Sequence, residues 1–150
     1  MGKLILTAET VLPVSSKPLK NASVLVSDGK IREIGKSAAL RRRYKGVSET
    51  DLGHGILLPG FVNAHTHLEL GWMFKRLRSF RGFTGWLGQI IKEKRAGVTD
   101  REIAGSVEEG IEANICSGVT TVGEISSYGG IDIPLLKSSG LRTVLFREIL

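Results

Sequence analysis

The sequence predicts an α/β fold in which a small all-β region precedes a region of alternating strands and helices. Residues 1–56 consist of short apolar runs separated by turn residues, a pattern typical of β-strands. Residues 57–150 instead alternate strand-like runs with helical patterns, which indicates βαβ units on a parallel sheet. The apolar run Ile56–Ala64, broken only by Pro59–Gly60, predicts a strand buried on both faces. A barrel and a doubly wound sheet both fit this order.

The first region contains a predicted hairpin. Asp28 and Gly29 separate two strand-like runs, and both central positions of a type I′ turn require a positive φ, which these residues tolerate. A polar loop between Pro13 and Pro18 precedes the hairpin. The elements predicted here are strands at Lys3–Ala8, Ala22–Val26 and Ile31–Gly35, helical turns at Ala38–Lys45, and a return to strand at Asp51–Gly55.

Helix boundaries in the second region are indicated by particular residues. Thr99 and Glu102 have the spacing of a capping box, in which the two side chains satisfy free amides at the start of a helix. Isoleucine and valine then recur every fourth residue until Gly118 ends the helix. The elements predicted here are strands at Ile56–Ala64, Val119–Ile125 and Leu141–Phe146, and helices from Trp86 to Gly97, from Thr99 to Gly118 and from Ile131 to Ser139.

Composition limits the classes of protein that this chain can represent. Its 150 residues suffice for one ordinary domain, and 41% are hydrophobic, so a buried core is expected rather than global disorder. No apolar run reaches 18 residues, so neither a transmembrane helix nor a membrane partner is expected. Cys116 is the only cysteine, which excludes an internal disulfide and favours a cytoplasmic protein. We expect Cys116 to be a small core residue of its helix.

The formal net charge of +6 has two interpretations. It fits a solvated basic surface whose acidic counterpart lies elsewhere, and it also fits an anionic partner such as nucleic acid. The basic runs that would form a nucleic-acid surface are Arg41–Arg43 and Lys75–Arg81, the second with an interleaved aromatic residue. No nucleic-acid-binding motif accompanies these runs, so we favour the first interpretation.

Two histidines follow the apolar run of the second region. Because side chains alternate faces along a strand, His65 and His67 should project from the same face near its carboxyl end. Two neutral imidazoles in this arrangement can bind one metal ion, and a bound metal makes water nucleophilic near neutral pH. The pair alone also fits two partly exposed histidines that bind nothing. A zinc site usually has three protein ligands, and we interpret His54, between two glycines, as a turn residue.

The residues around the histidines resemble a known motif. The segment Leu57–Leu68 resembles the first-strand signature of the amidohydrolase superfamily, in its branch of cytosine, guanine and adenosylhomocysteine deaminases and chlorohydrolases. Four more segments resemble parts of the same family: Ser23–Gly35 and Asp51–Gly53 of its small β-sandwich, and Gly118–Val122 and Gly140–Val144 of its second and third barrel strands. The resemblance therefore implies a β-sandwich domain at 1–56 and the first three β/α units of a (β/α)₈ TIM-type barrel at 57–150.

This resemblance also implies a function. His65 and His67 would be ligands of one divalent metal, with zinc expected and iron as the alternative. The reaction would be hydrolysis of a carbon–nitrogen bond other than a peptide bond, by which a purine-like heterocycle loses ammonia to metal-activated water. The segments His65–Glu69 and Ser79–Leu87 together are similar to the corresponding segments of aminodeoxyfutalosine deaminases. This similarity implies a narrower substrate prediction. We also expect the full-length protein to be a homo-oligomer.

The remaining functional residues of the family follow its fifth, sixth and eighth strands. None of them has a counterpart in these 150 residues. The chain is therefore expected to be the N-terminal part of a longer enzyme and not competent by itself. The alternative is a non-catalytic remnant of such an enzyme.

Four other residues are candidates near the predicted mouth of the site. Glu69 would share the histidine face if the strand continued, where it could contact substrate or lie solvated at the start of a loop. Trp72 follows in a loop that the family places over the active site, so it could stack on a heteroaromatic ring or pack in the core. Glu124 and Glu148 end the next two strands, where each could bind substrate or a histidine or form a structural ion pair.

Overall fold

The computed structural model describes residues 2–74, 76–78 and 82–149. The chain forms two compact units, unit 1 (Met1–Pro59) and unit 2 (Gly60–Leu150). The division falls at the proline and glycine that interrupt the apolar run. None of the helices in the described ranges combines the length and the apolar character that a bilayer crossing requires.

Unit 1 is built mainly from strands. Its described elements are β1 (Lys3–Val11), β2 (Leu19–Ser27), β3 (Lys30–Lys36), α1 (Ser37–Arg43), β4 (Ser48–Asp51) and β5 (Ile56–Leu57). These strands form one sheet in the order β3-β2-β1-β4, and β5 also pairs with β1. β2 is antiparallel to β1, whereas β4 and β5 run parallel to it.

The predicted hairpin is present in unit 1. β2 and β3 are antiparallel and are joined by Asp28 and Gly29, whose φ angles of 53° and 70° are both positive. These are the angles that a type I′ turn needs, so the local sequence explains the reversal of the chain. Ile5, Leu25 and Leu40 form a buried cluster, by which α1 packs on one face of the sheet.

Unit 2 is an α/β unit whose described strands are parallel. Its elements are β6 (Phe61–Thr66), a 3₁₀ helix (Leu68–Met73), α2 (Gly82–Ala96), α3 (Asp100–Cys116), β7 (Val119–Ser126), α4 (Asp132–Ser138) and β8 (Arg142–Arg147). The strand order is β6-β7-β8, and both pairs are parallel. The predicted alternation of strands and helices is therefore confirmed. It brings the carboxyl ends of three strands to one edge of the sheet.

The helix α3 begins as the sequence predicts. The amide of Glu102 donates to Thr99 Oγ1 at 3.3 Å, and the amide of Thr99 donates to Glu102 Oε2 at 3.0 Å, which completes the capping box. Ile103 and Val107 of α3 are buried and belong to the same cluster as Val122 of β7. The apolar stripe read from the sequence thus fixes α3 on the sheet.

Two predictions about burial were wrong. Phe61 and Val62 of β6 are 56% and 65% exposed, although the apolar run predicted a strand buried on both faces. Among the described residues, β6 pairs with β7 alone and lies at the edge of the sheet, so its side chains lack neighbours on that side. Cys116 is exposed and not in the core, because it lies in the last turn of α3, beyond the buried Ile103 and Val107.

Candidate metal centre

The two histidines lie together at the carboxyl end of β6. His65 belongs to the strand, and His67 lies between the strand and the 3₁₀ helix. Their ring centroids are 5.2 Å apart and their planes are inclined by 68°. The two rings are close, as the sequence predicts, although His67 lies just beyond the regular strand. Ligand sites of parallel α/β proteins are found at this edge of the sheet.

A bulge in β6 surrounds His65. Asn63 lies opposite Val122 and Thr66 lies opposite Glu124, so β6 advances three residues where β7 advances two. His65 is one of the residues in that irregular stretch. An extra residue bends a strand and changes the direction of its side chains, and such bulges are common next to binding sites.

Gly123 of β7 allows the bulge to form. A β-carbon at this position would lie 2.5 Å from the carbonyl oxygen of Ala64 and 2.9 Å from its carbonyl carbon. Both distances are too short for a side chain of any kind, so glycine is required where the two backbones approach. The residue before His65 is therefore positioned directly against β7.

The environment of His67 favours a neutral ring. His67 is half-buried, and its Nδ1 is buried without a hydrogen-bond partner among the described residues. Burial lowers the pKa of His67 below its usual range; the Glu148 carboxylate opposes this shift, and His65 and Lys94 add to it. A neutral imidazole with an unused nitrogen is the form that binds metal ions. The chemistry of this pair therefore fits a divalent metal.

The two histidines do not make a complete metal site. Within the described ranges, no group of three or more histidine, cysteine, aspartate or glutamate side chains is arranged to hold a metal ion. Zinc sites usually have three or four protein ligands. A metal bound at His65 and His67 would need further donors from outside the described residues.

The condition under which Glu69 would share the histidine face, a strand that continues past His67, is not met. The strand ends at Thr66 and the chain turns into the 3₁₀ helix, which directs Glu69 inward, where it is fully buried. Its Oε2 accepts hydrogen bonds from the amides of Ser127 at 2.7 Å and Tyr128 at 3.0 Å. Glu69 is therefore not a solvated carboxylate either, and a contact with substrate stays a prediction.

Trp72 packs against the core of unit 2. The side chain is half-buried beside Leu68, and the backbone amide of Trp72 donates to Ser106 Oγ at 3.1 Å. The guanidinium of Arg76 lies 4.8 Å from the centroid of the indole ring. These contacts match the packing alternative, and stacking on a substrate stays a prediction.

Glu124 is a buried carboxyl group, and no ion pair to it is found within the described residues. Its Oε1 accepts a hydrogen bond from the amide of Leu68 at 2.8 Å, while its Oε2 has no partner in the described part of the chain. Burial raises the pKa of Glu124 to about 8; the nearby Asp132 and Glu69 carboxylates add to this, and the amide of Leu68 opposes it. Glu148 does form the predicted type of ion pair, with Lys94 Nζ 3.6 Å from its carboxylate.

Sequence reasoning missed two buried polar residues of unit 2, Asp132 and Ser106. Asp132 of α4 is fully buried and accepts a hydrogen bond from Ser126 Oγ at 2.9 Å. Ser106 of α3 is buried and donates to the carbonyl oxygen of Leu68 at 2.7 Å. Ser106 follows Ile103 by three residues and lies on the apolar face of the helix, and a small polar residue at such a position is the signal that could have identified it.

The raised pKa of Glu124 predicts a pH-dependent stability. Its value of about 8 in the folded protein, against 4.5 for an unperturbed carboxyl, means that the folded state binds more protons between these two pH values. The free energy of unfolding should therefore fall as pH rises through this window, by at most about 1.4 kcal/mol per pH unit. Glu124→Gln cannot titrate and should flatten the slope. Urea unfolding of the wild type and of Glu124→Gln from pH 5 to pH 8 measures how the free energy of unfolding depends on pH. Equal slopes for the two proteins would contradict the prediction.

The basic run of unit 1 is largely paired with acidic residues. Arg41 donates to Glu49 through both Nε and Nη2, and Arg43 contacts Glu33. This arrangement resembles a solvated ion-pair surface more than a free cationic patch. Residues 75 and 79–81 of the second basic run lie outside the described residues, so nucleic-acid binding stays an untested alternative. His54 is a fully exposed turn residue, as predicted, 3.1 Å from Glu9.

Comparisons with known proteins place this geometry in a family. A model of the amidohydrolase family matches residues 56–141. The adenosine deaminase of Helicobacter pylori is 36% identical over 126 residues, which are 84% of this chain and 30% of that protein. The structure of H. pylori aminofutalosine deaminase in complex with methylthio-coformycin is 34% identical with a TM-score of 0.83, over 97% of this chain and 35% of that one.

A more distant structure shares the fold. An adenosine deaminase from Xanthomonas campestris with bound zinc is 22% identical and has a TM-score of 0.75, over 95% of this chain and 33% of its own. The present chain therefore spans about a third of the length of the relatives that it matches.

Proposed function

The chain belongs to the amidohydrolase family, and from this premise we propose that it carries part of the metal site of a hydrolase that deaminates a purine-like heterocycle. The observation that carries the proposal is the placement of His65 and His67, whose rings lie 5.2 Å apart at the carboxyl end of a parallel strand. The matched region of the family includes both residues.

His65 and His67 would each give one imidazole ligand to a divalent metal, with zinc expected and iron as the alternative. The zinc bound by the X. campestris relative supports zinc. When bound, such a metal makes water nucleophilic near neutral pH and polarises the carbon that it attacks. The half-buried position of His67 would keep its ring neutral and restrict its orientation.

The substrate is proposed from the relatives and from a cavity in unit 2. The relatives named above act on adenosine or aminofutalosine, so an aminated purine nucleoside is the expected class. A cavity of about 560 Å³ is lined by Tyr128, Glu148 and Lys94, beside the carboxyl ends of β7 and β8, and another of about 700 Å³ is lined by His67 and Trp72. Pockets of this size suit a small heterocycle. We propose that the substrate binds in the first of these two cavities, because it lies at the edge of the sheet where ligands of parallel α/β proteins bind.

The proposed architecture follows the family. Residues 1–56 would belong to the small β-sandwich domain, and residues 57–150 would form the first three β/α units of a (β/α)₈ barrel. The exposed apolar side chains Val62, Val144 and Phe146 on the outer strands support this, because both strands would have further neighbours in a closed barrel. We also propose a cytoplasmic, homo-oligomeric full-length protein.

Metal and ammonia measurements on the full-length protein test the proposal. We expect about one equivalent of zinc or iron per protomer, and ammonia release from at least one member of a panel of adenine nucleosides, aminofutalosine, guanine and pterins. Removal of the metal with a chelator should abolish ammonia release, and added zinc or iron(II) should restore it. A protein that binds no metal and releases no ammonia from any member would support the non-catalytic alternative.

A further inference from the structure

The segment that begins at His67 is held by buried side chains from two other elements. The amide of Leu68, the next residue, donates to Glu124 Oε1 at 2.8 Å. The carbonyl oxygen of Leu68 accepts from Ser106 Oγ at 2.7 Å. Both polar groups of one backbone residue are thus bound by side chains of β7 and α3. The direction in which the chain leaves the histidine pair is therefore fixed by tertiary contacts.

A second carboxyl group makes the reciprocal contact. Glu124, at the end of β7, binds the segment after β6, whereas Glu69, in the segment after β6, binds the amides of Ser127 and Tyr128 after β7. The segments that follow two neighbouring parallel strands are in this way connected in both directions. We call this pair of carboxyl groups, Glu69 and Glu124, the carboxyl clasp.

The clasp buries carboxyl groups, which is energetically unfavourable, in order to accept hydrogen bonds from a few backbone amides. Glu69, Glu124 and the adjacent Asp132 are all fully buried, and no arginine or lysine pairs with them among the described contacts. Burial of a carboxyl group without a cationic partner is unfavourable, and a neutral glutamine could accept the same amides. Buried polar groups that reduce stability in this way are often found beside functional sites.

We propose that Glu124 and Glu69 are positioning residues that hold His67 in the orientation that binds metal. Glu124 acts through the backbone amide of Leu68, and Glu69 acts by joining the same segment to the amides of Ser127 and Tyr128. The inference rests on the proposed function, because it assigns these carboxyl groups to the same metal pair. It predicts that metal affinity depends on a hydrogen bond made one residue away from the ligand. Loss of such an outer contact typically weakens a metal site by about 10- to 100-fold.

Three variants of the full-length protein test the clasp through its metal affinity. Glu124→Ala removes the acceptor for the Leu68 amide and should weaken zinc binding by about 10- to 100-fold in a chelator competition. Glu124→Gln keeps an acceptor oxygen and should restore affinity to within a few-fold of the wild type. Asp132→Asn controls for the loss of a buried carboxyl group as such, because Asp132 is equally buried and accepts from Ser126 Oγ, but makes no hydrogen bond to the amides of Leu68, Ser127 or Tyr128 in the described part of the chain. If the carboxyl group of Glu124 had only a structural role, its replacement by alanine would lower stability and leave zinc affinity unchanged.

Hydrogen exchange of the metal-free protein separates this inference from the proposed function. Glu124→Ala should increase exchange at Leu68, and Glu69→Ala should increase it at Ser127 and Tyr128, with each variant affecting the other segment as well because the contacts are reciprocal. Unchanged exchange at Leu68 in Glu124→Ala would overturn the clasp, even if the protein is a zinc deaminase. A wild-type protein that binds no zinc would overturn the proposed function, while changed exchange would still support a clasp on the segment after β6.

Discussion

Replacement of His67 by alanine in the full-length protein should reduce bound metal to a trace and lower kcat/KM for deamination by roughly a thousandfold or more. His67 lies beside His65 at the carboxyl end of β6, with a buried ring nitrogen that has no partner among the described residues. A metal-activated water supplies several kcal/mol of transition-state stabilisation, and each 1.36 kcal/mol corresponds to about a factor of ten in rate. Metal analysis and ammonia release measure both effects.

His54→Ala is the matched control for this experiment. His54 is fully exposed in a turn of unit 1, where its ring contacts Glu9. Its removal should leave metal content and rate as in the wild type. If His67→Ala retained wild-type metal content and rate, the assignment of His67 as a ligand would be wrong.

Replacement of Gly123 by alanine should destabilise unit 2 by about 3 kcal/mol. The added β-carbon would lie 2.5 Å from the carbonyl oxygen of Ala64. The β-carbon is attached directly to the backbone of β7 and the oxygen belongs to the backbone of β6, so neither can move aside as the end of a flexible side chain does. The strands would have to separate next to His65, so metal affinity should fall together with stability. Urea unfolding of the full-length protein and chelator competition measure the two effects.

Gly105→Ala provides the matched control in the same unit. Gly105 lies within α3, and a β-carbon there would have no heavy atom within 4 Å. Because alanine is favoured over glycine in a helix, this variant should be stabilised by up to about 1 kcal/mol. A Gly123→Ala protein that unfolded at the same urea concentration as the wild type would show that β6 and β7 do not approach as closely as described.

The elements that the sequence predicted well depend on local interactions. The turn at Asp28 and Gly29 needs only residues that accept a positive φ, and the start of α3 needs only Thr99 and Glu102 three residues apart. The four-residue spacing of the α3 stripe likewise requires no knowledge of the partner strand. Such signals are contained in a few consecutive residues, so they survive without tertiary information.

Predictions that depended on burial or on direction were less successful. The apolar side chains of β6 are exposed because no second neighbour pairs with that strand among the described residues, and an apolar run does not specify how many neighbours a strand has. The inward turn of Glu69 follows from the end of the strand at Thr66, a boundary that alternation alone cannot locate. The prediction that Cys116 is buried failed for a similar reason, since the apolar stripe of α3 continues past the part of the helix that packs on the core.

The sequence by itself determined the order of the elements, which follows from periodicity along the chain, and it placed His65 and His67 two residues apart where an apolar run ends. Only the tertiary structure decided how the pair is held. The bulge opposite Gly123 and the bond from Leu68 to Glu124 join residues more than fifty positions apart. Contacts of that kind arise when two strands pair in one register and bury a carboxyl group between them, and no short pattern in the sequence encodes that choice.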